Sequence, residues 1–303
     1  MDNLTHSLVG ALIGQAGLKR KTGLAMPALI VGANIPDIDA ACFFWLEGVE
    51  HLAFRRGITH GPIAWVILPL LLAAGLWWFD RWQARRGKRP DGRLPVHFGW
   101  LYALSLLATL SHPALDWLNV YGVRLLEPFS GRWFYGDILF IIDIWLWLSM
   151  GFATWFSLRR EKSGGDWKRP AQAALAAVLA YIGINAGITT AAESGPVEAP
   201  TGAQMVIASP PPFDFTRREV ITGGNGLYAV DGVALPGVPL ARCNLPAIAE
   251  REPQVRAFLK WSRTPFIEPG LDGVYRLRDA RYYDPRARDR FTVDLPGLRC
   301  AAN

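Results

Sequence analysis

GPIAWVILPLLLAAGLWWF, residues 61–79, carries no charged side chain. Coiled into a helix at 1.5 Å per residue, such a run is close to the roughly 30 Å hydrocarbon thickness of a bilayer. Three further runs read the same way: His97–Leu118, Asp137–Leu158 and Ala171–Ala192. Two weaker segments precede them, the short Leu4–Leu18 and the longer Gly23–Leu46, which Asn34-Ile-Pro-Asp-Ile-Asp39 interrupts. The expected fold class is therefore an all-α polytopic membrane domain of about five or six helices over residues 1–192.

Composition agrees with that reading. Apolar residues make up 51% of the 303 and charged residues 19%, which excludes intrinsic disorder. Three Cys exclude a disulfide-dense scaffold. The formal charge of +6 could suggest nucleic acid, but its location argues otherwise. Residues 1–192 hold 18 Lys and Arg against 13 Asp and Glu, whereas 193–303 hold 14 against 13. The excess lies in the apolar part, so the partner expected is membrane lipid and not nucleic acid.

Basic loops stay in the cytoplasm. Lys19–Lys21, the loop Asp80–Val96 (Arg81, Arg85, Arg86, Lys88, Arg89, Arg93) and the loop Arg159–Pro170 (Arg159, Arg160, Lys162, Lys168, Arg169) are the basic clusters. Placing all three inside gives a consistent path: 61–79 inward, 97–118 outward, 137–158 inward, 171–192 outward. Because Lys19-Arg-Lys21 follows the first apolar run instead of preceding it, no cleaved signal peptide is expected. Residues 193–303 then form an extracytoplasmic domain. Their turn-rich composition (Pro210-Pro-Pro212, Gly223-Gly-Asn-Gly226) and short β-prone runs at Arg218–Thr222, Gly226–Val230 and Arg290–Asp294 predict a small β-rich fold. Pro253–Ser262 reads as a short amphipathic helix, and Cys243 and Cys300 are open to disulfide formation outside the cell. Cys42 reads as a small buried residue.

Ionisable residues within a membrane mark function. The candidates are His6, Asp37, Asp39, His60, His112, Asp116, Asp137 and Asp143. On the topology above, most of them converge near the outer leaflet from separate segments. Imidazole with carboxylate suits zinc, manganese or iron. His112 and Asp116 stand at i, i+4 and share a helix face. Pro36 predicts irregular backbone beside Asp37 and Asp39, and Gly61 lets a neighbour come close to His60. An Asp outside the ligand set could serve as general base. Against these, His51 and His97, a loop residue and a helix-start residue, read as structural, and Asp143 reads as paired with a buried donor. Arg55-Arg56 reads as a solvated surface pair, with an anion clamp as its alternative. Arg276, Arg278, Arg281, Arg286, Arg288 and Arg290, interleaved with Asp279, Asp284 and Asp289, read as a mixed-charge surface.

Asn3-Leu-Thr-His6, Asn34-Ile-Pro-Asp-Ile-Asp39, Arg56-Gly-Ile-Thr-His60-Gly and Ser111-His-Pro-Ala-Leu-Asp116-Trp, occurring in this order, resemble the bacterial inner-membrane metal-dependent hydrolases described as LexA-regulated or LexA-binding. The resemblance covers roughly residues 1–160. The order of His and Asp is also similar to that of zinc-dependent phospholipase C and P1-type nucleases. The resemblance implies a divalent metal, zinc or manganese, held by His6, Asp37 or Asp39, His60, His112 and Asp116; Asp137 is a further candidate from its place at the start of an apolar run and not from the resemblance. It implies hydrolysis of a phosphoester in a lipid or lipid-linked substrate, the remaining carboxylate of Asp37 and Asp39 orienting the attacking water. The soluble enzymes use additional His ligands, and this chain has none after His112, so one or two metals are expected. LexA binding would need a cytoplasmic surface, and only short basic loops are available for it. The alternatives are a transporter, which the apolar cytoplasmic halves Ala64–Leu76 and Leu101–Leu107 oppose, and a non-enzymatic protein in which the metal staples helices together.

Overall fold

The computed structural model describes residues 1–195, 205–283 and 290–301. Its helices in chain order are α1 (Asn3–Gln15), α2 (Ala25–Gly32), the single turn α3 (His51–Phe54), α4 (Pro62–Arg85), α5 (Phe98–Trp117), α6 (Ile144–Lys162), α7 (Lys168–Ser194), α8 (Leu245–Arg251) and α9 (Pro253–Trp261). By internal contacts the chain divides into two compact units. The first comprises residues 1–39, 56–186 and 212–215; the second comprises 40–55, 187–211 and 216–303.

The first unit is helical, as the apolar runs predict, but the number of spans is smaller. Among the described residues, α4 and α7 are the helices long and apolar enough to cross a membrane, and a third candidate span exists if α2 and the 3-10 stretch Ile35–Phe44, bent 51° apart, are counted as one. The expected five or six is corrected to two or three. Two causes are visible in the sequence. Helix α5 spends positions on Ser105, Thr109, Ser111, His112 and Asp116, all polar. Helix α6 does not begin at Asp137: the chain through 137–143 is irregular, Asp143 caps the helix by accepting from Trp145 N and Leu146 N at 3.0 Å each, and Arg159-Arg-Glu-Lys162 ends it. The remaining carboxylate oxygen of Asp143 accepts from Tyr181 Oη at 2.9 Å, so this buried acid is fully occupied in structure.

Two apolar clusters hold the helices. Leu12, Leu115, Leu139, Leu146, Met150 and Ala171 form one. Ala28, Leu29, Ala73, Leu101, Leu104 and Ala108 form the other. Lipid tails are as apolar as these side chains, so close backbone approach contributes more than burial alone. Gly10 and Gly14 lie one turn apart on the face of α1 that meets α2. A Cβ at Gly10 would lie 2.6 Å from the Leu29 carbonyl oxygen. This contact sets His6, one turn before Gly10, beside the end of α2.

The second unit contains two antiparallel sheets. One runs in the order β1 (Met205–Ser209), β2 (Glu219–Gly224), β3 (Leu227–Val230), β4 (Val233–Ala234); the other in the order β5 (Pro265–Pro269), β6 (Tyr275–Asp279), β7 (Thr292–Asp294). All three β-prone runs form strands within two residues of their predicted starts, and Pro253–Trp261 forms the expected helix with Val255, Phe258 and Trp261 buried. Cys243 and Cys300 are joined in a disulfide, and Cys42 is buried as a free thiol. The mixed-charge surface expected around residues 276–290 is partly core. Asp279 and Arg281 are an enclosed ion pair, and Arg278 is buried against Glu268. Asp284, Arg286, Arg288 and Asp289 lie outside the described residues.

Candidate metal centre

Each candidate ligand owes its position to a local device. His6 sits in α1, whose N-cap Asp2 accepts from Leu4 N and Thr5 N and also receives the Trp147 indole N–H at 3.1 Å. That bond fixes the start of α1 against α6. Pro36 has no N–H to continue the ladder of α2, and the chain tightens into the 3-10 stretch that carries Asp37 and Asp39. This is the irregular backbone expected there. His60 ends the short 3-10 turn Ile58–His60, and α4 starts directly afterwards with Pro62 in its first turn. His112 and Asp116 occupy one face of α5, four residues apart.

These four segments converge. His6, His60, His112 and Asp116 have no solvent exposure, and Asp37 is half-buried. His6 Nε2 lies 3.4 Å from Asp116 Oδ1, and His60 Nε2 lies 3.4 Å from Asp116 Oδ2. His112 Nε2 is 3.7 Å from Asp116 Oδ2 and 3.8 Å from Asp37 Oδ1, which is 4.0 Å from His60 Nε2. The rings of His6 and His112 stack with centroids 3.7 Å apart, and His60 meets His112 edge-on at 5.0 Å. Two overlapping groups could each hold an ion: His6, His112 and Asp116, and Asp37, His60 and His112.

The donor set fits a divalent metal. Tetrahedral zinc with bonds of roughly 2.0–2.1 Å places its ligand atoms roughly 3.4 Å apart, close to the spacings above. His112 Nδ1 bonds the Ala33 carbonyl at 2.6 Å. That bond requires the proton on Nδ1 and turns the Nε2 lone pair towards Asp37 and Asp116. His112 Nε2 and both ring nitrogens of His6 are buried with no hydrogen-bond partner, an arrangement that costs free energy unless something coordinates them.

The two Asp of the Asn-Ile-Pro-Asp-Ile-Asp segment separate by position. Asp37 faces the Nε2 atoms. Asp39 lies behind His60, 3.7 Å from its Nδ1, and accepts from Arg56 N at 2.7 Å and Thr59 Oγ1 at 3.1 Å. Asp137 is buried in a left-handed turn (φ 55°) and belongs to neither group. His51 lies in a surface turn with Nδ1 on the Gly48 carbonyl, and His97 precedes α5; both are outside the cluster.

Arg56 corrects the sequence reading. It is not a solvated surface residue but 6% exposed, with a left-handed backbone (φ 56°). Its Nε lies 3.0 Å from Asp116 Oδ2, its other nitrogens donate to Asn119 Oδ1 and the Gly122 carbonyl, and its guanidinium covers the Tyr121 ring. The Met1 ammonium pairs with the other oxygen of Asp116. A fully buried carboxylate needs this compensation. Nothing in the local sequence separates Arg56 from Arg55, which stacks on Phe43.

Gly61 meets the expectation of close approach, but to backbone. A Cβ there would lie 1.9 Å from the Glu127 carbonyl oxygen. Gly61→Ala is expected to force the loop away from His60 and destabilise the first unit by about 1–3 kcal/mol or more, the usual cost of overpacking. Thermal unfolding in detergent checks this, and an unchanged midpoint would mean that the loop yields freely.

Two helices long and apolar enough to cross a bilayer, α4 and α7, together with a buried cluster of His and Asp, define a membrane protein with a candidate metal-binding core. The chain belongs to the YdjM inner membrane protein family, whose model matches residues 1–192. It is also similar to the uncharacterized protein YfhP of Bacillus subtilis (strain 168), with 28% identity over 167 residues, 52% of this chain and 47% of that protein. The chain thus spans about half the length of that curated relative. No solved structure matches.

Proposed function

We propose that this protein is a membrane-embedded metal-dependent hydrolase acting on a phosphoester of a lipid or lipid-linked substrate. The observation that carries the reading is the convergence of three imidazole Nε2 atoms on Asp116 and Asp37, with His112 held in the ligating tautomer. His6, His112 and Asp116 form one ligand set, and Asp37, His60 and His112 the other; zinc is the first expectation and manganese the second. An ion so held supplies Lewis acidity, activating water at neutral pH and offsetting charge on a phosphoryl oxygen. Asp39 orients His60 through the Nδ1 side and acts as a positioning residue. Asp37, whose side chain is 7% exposed where those of His60 and His112 are 0%, can accept a proton from attacking water. Arg56 neutralises Asp116 and so moderates the negative charge that an anionic substrate would meet.

Support for a lipid comes from what flanks the ligands. Leu4, Ile38, Ile58 and Trp117, each within two residues of a candidate site residue, are 43–61% exposed. Apolar side chains left outward beside a buried polar cluster suit a substrate delivered from the bilayer. The deciding test is hydrolysis of a panel of lipid phosphoesters by the purified full chain loaded with zinc or manganese. Turnover should disappear in Asp37→Asn, with metal kept at the His6, His112 and Asp116 set and weakened at the set that includes Asp37. Turnover that is absent across the panel, with metal bound, would sink the enzymatic reading.

The complete burial of His6, His60, His112 and Asp116 favours a second reading, a metal that staples helices without chemistry. It predicts that removing the metal unfolds the chain, whereas the hydrolase reading predicts a folded, inactive one.

We further infer that the C-terminal region faces the extracytoplasmic side, supported by the basic loops and by the Cys243–Cys300 disulfide. In a Cys42→Ser background, Val233→Cys, 70% exposed, should react with an impermeant thiol reagent in spheroplasts, and Lys88→Cys should not. The reverse pattern would invert the topology.

A further inference from the structure

The end of the helical unit that carries the basic loops has fourteen Lys and Arg in residues 19–21, 80–96 and 159–170 against four Asp and Glu. The acids are mostly committed: Asp80 to Arg89 and Arg93, Glu161 to Lys19, and Asp166 to Arg169. Arg20, Lys21 and Lys168 have no carboxylate partner among the described residues and instead lie over indole rings. Arg20 and Lys168 sit 5.2 and 5.7 Å from the centre of Trp167, which Lys19 also approaches at 4.2 Å, and Lys21 sits 5.0 Å from the centre of Trp100. Trp167 is a fixed platform, 6% exposed, with its carbonyl bonded by Ser157 Oγ at 2.7 Å. Beside Trp100 a shallow cavity of about 490 Å³ is lined by Lys21, His97, Gly99 and Ala103.

We propose that the turn Gly17–Lys21, with Trp100, Trp167 and Lys168, is a seat for the headgroup of an anionic membrane phospholipid. Indole rings settle at the membrane interface, so cations stacked on them are held at headgroup depth. Three cations around one turn, lacking carboxylates, present the complement of a phosphodiester. Cations that merely satisfied the orientation rule would need neither a buried ring such as Trp167 beside them nor a cavity next to Lys21. The apolar stem of Lys168 passes beside Gly17, and the headgroup takes the charged ends. This seat is independent of the His and Asp cluster and does not rest on the hydrolase reading.

The test uses the full chain in nanodiscs of phosphatidylglycerol and phosphatidylcholine in equal amounts, with lipid retained through stepwise delipidation counted by native mass spectrometry. The parent should retain phosphatidylglycerol in preference. Lys21→Gln/Lys168→Gln should lose that preference by roughly thirtyfold, since each of the two basic residues near the surface contributes about 1 kcal/mol. Arg85→Gln/Lys88→Gln removes the same charge from exposed positions that stack on no ring, and should keep the preference. Equal retention of both lipids by the parent, an unchanged preference in the first variant, or equal loss in both variants would each overturn the seat. Displacement of the lipid by millimolar inorganic phosphate would overturn the lipid as its occupant. Equal thermal midpoints in pure phosphatidylcholine establish that both variants are folded.

Discussion

His112→Ala is expected to weaken zinc or manganese binding by at least about 100-fold, because His112 is the one residue common to both ligand groups. Asp116→Ala should do the same, and for an added reason. Its removal leaves the Arg56 guanidinium and the Met1 ammonium facing each other in a site with no solvent exposure, so a folding defect is expected as well. The two variants therefore separate ligation from charge balance: His112→Ala should stay folded in the absence of metal, and Asp116→Ala should unfold earlier. Asp39→Asn, which touches His60 only on the Nδ1 side, is expected to cost about 10–100-fold, the usual range for a residue that orients a ligand. Metal per chain after dialysis against a graded chelator reads all three. His51→Ala, in the surface turn, sets the baseline. Equal metal content in His51→Ala and His112→Ala would remove the site.

The second large effect lies in the C-terminal sheets. Asp279 is 1% exposed and accepts hydrogen bonds from Ser262 Oγ, Thr264 Oγ1 and the Arg281 side chain and backbone N–H. Burial alone would push its carboxyl up, but the Arg281 charge and these donors outweigh that and hold it below the ordinary carboxylate range. Asp279→Ala leaves a buried guanidinium without its counter-charge and is expected to destabilise this unit by about 3–5 kcal/mol. The same lowering fixes the pH response. A carboxyl depressed in the folded state contributes its stabilisation fully above the unfolded value near pH 4, and loses it as pH falls through the folded value. The parent should therefore lose stability in acid below about pH 4, and Asp279→Ala should lose less over the same window. Chemical denaturation of the full chain, followed by hydrogen–deuterium exchange of peptides covering β5 and β6, would show it; parallel pH profiles for the two proteins would place the acid sensitivity elsewhere.

The Asp279–Arg281 pair shows where reading residues in a row fails. Arg276, Arg278 and Arg281 look alike in sequence, but Arg278 is buried with its guanidinium on Glu268, whereas Arg276, although opposite Glu268 in the β5–β6 register, pairs with Asp272 and Asp294 nearer the surface. Whether a charge is solvated or enclosed depends on what packs over it, which the order of residues does not carry. The same holds at the metal centre. His112 and Asp116 were legible because i, i+4 spacing acts within one helix, and Asp37 and Asp39 because Pro36 acts on its own backbone. The division of labour between Asp37 and Asp39 was not legible. It follows from which face of His60 each carboxylate meets, a relation between segments some twenty residues apart.

The apolar run at 61–79 determined a membrane helix by itself, since length and hydropathy are local properties and α4 forms over it. Local signals likewise determined the β-rich C-terminal region and the residue types of a metal site. Helix length and composition also limit the candidate spans to two or three among the described residues. Tertiary structure alone decided which side chains meet His112 and Asp116 across separate segments. It also decided that Arg56 turns inward: a left-handed backbone, an Asp39 carboxylate on its N–H and an Asp116 carboxylate on its guanidinium meet only when three distant segments fold together.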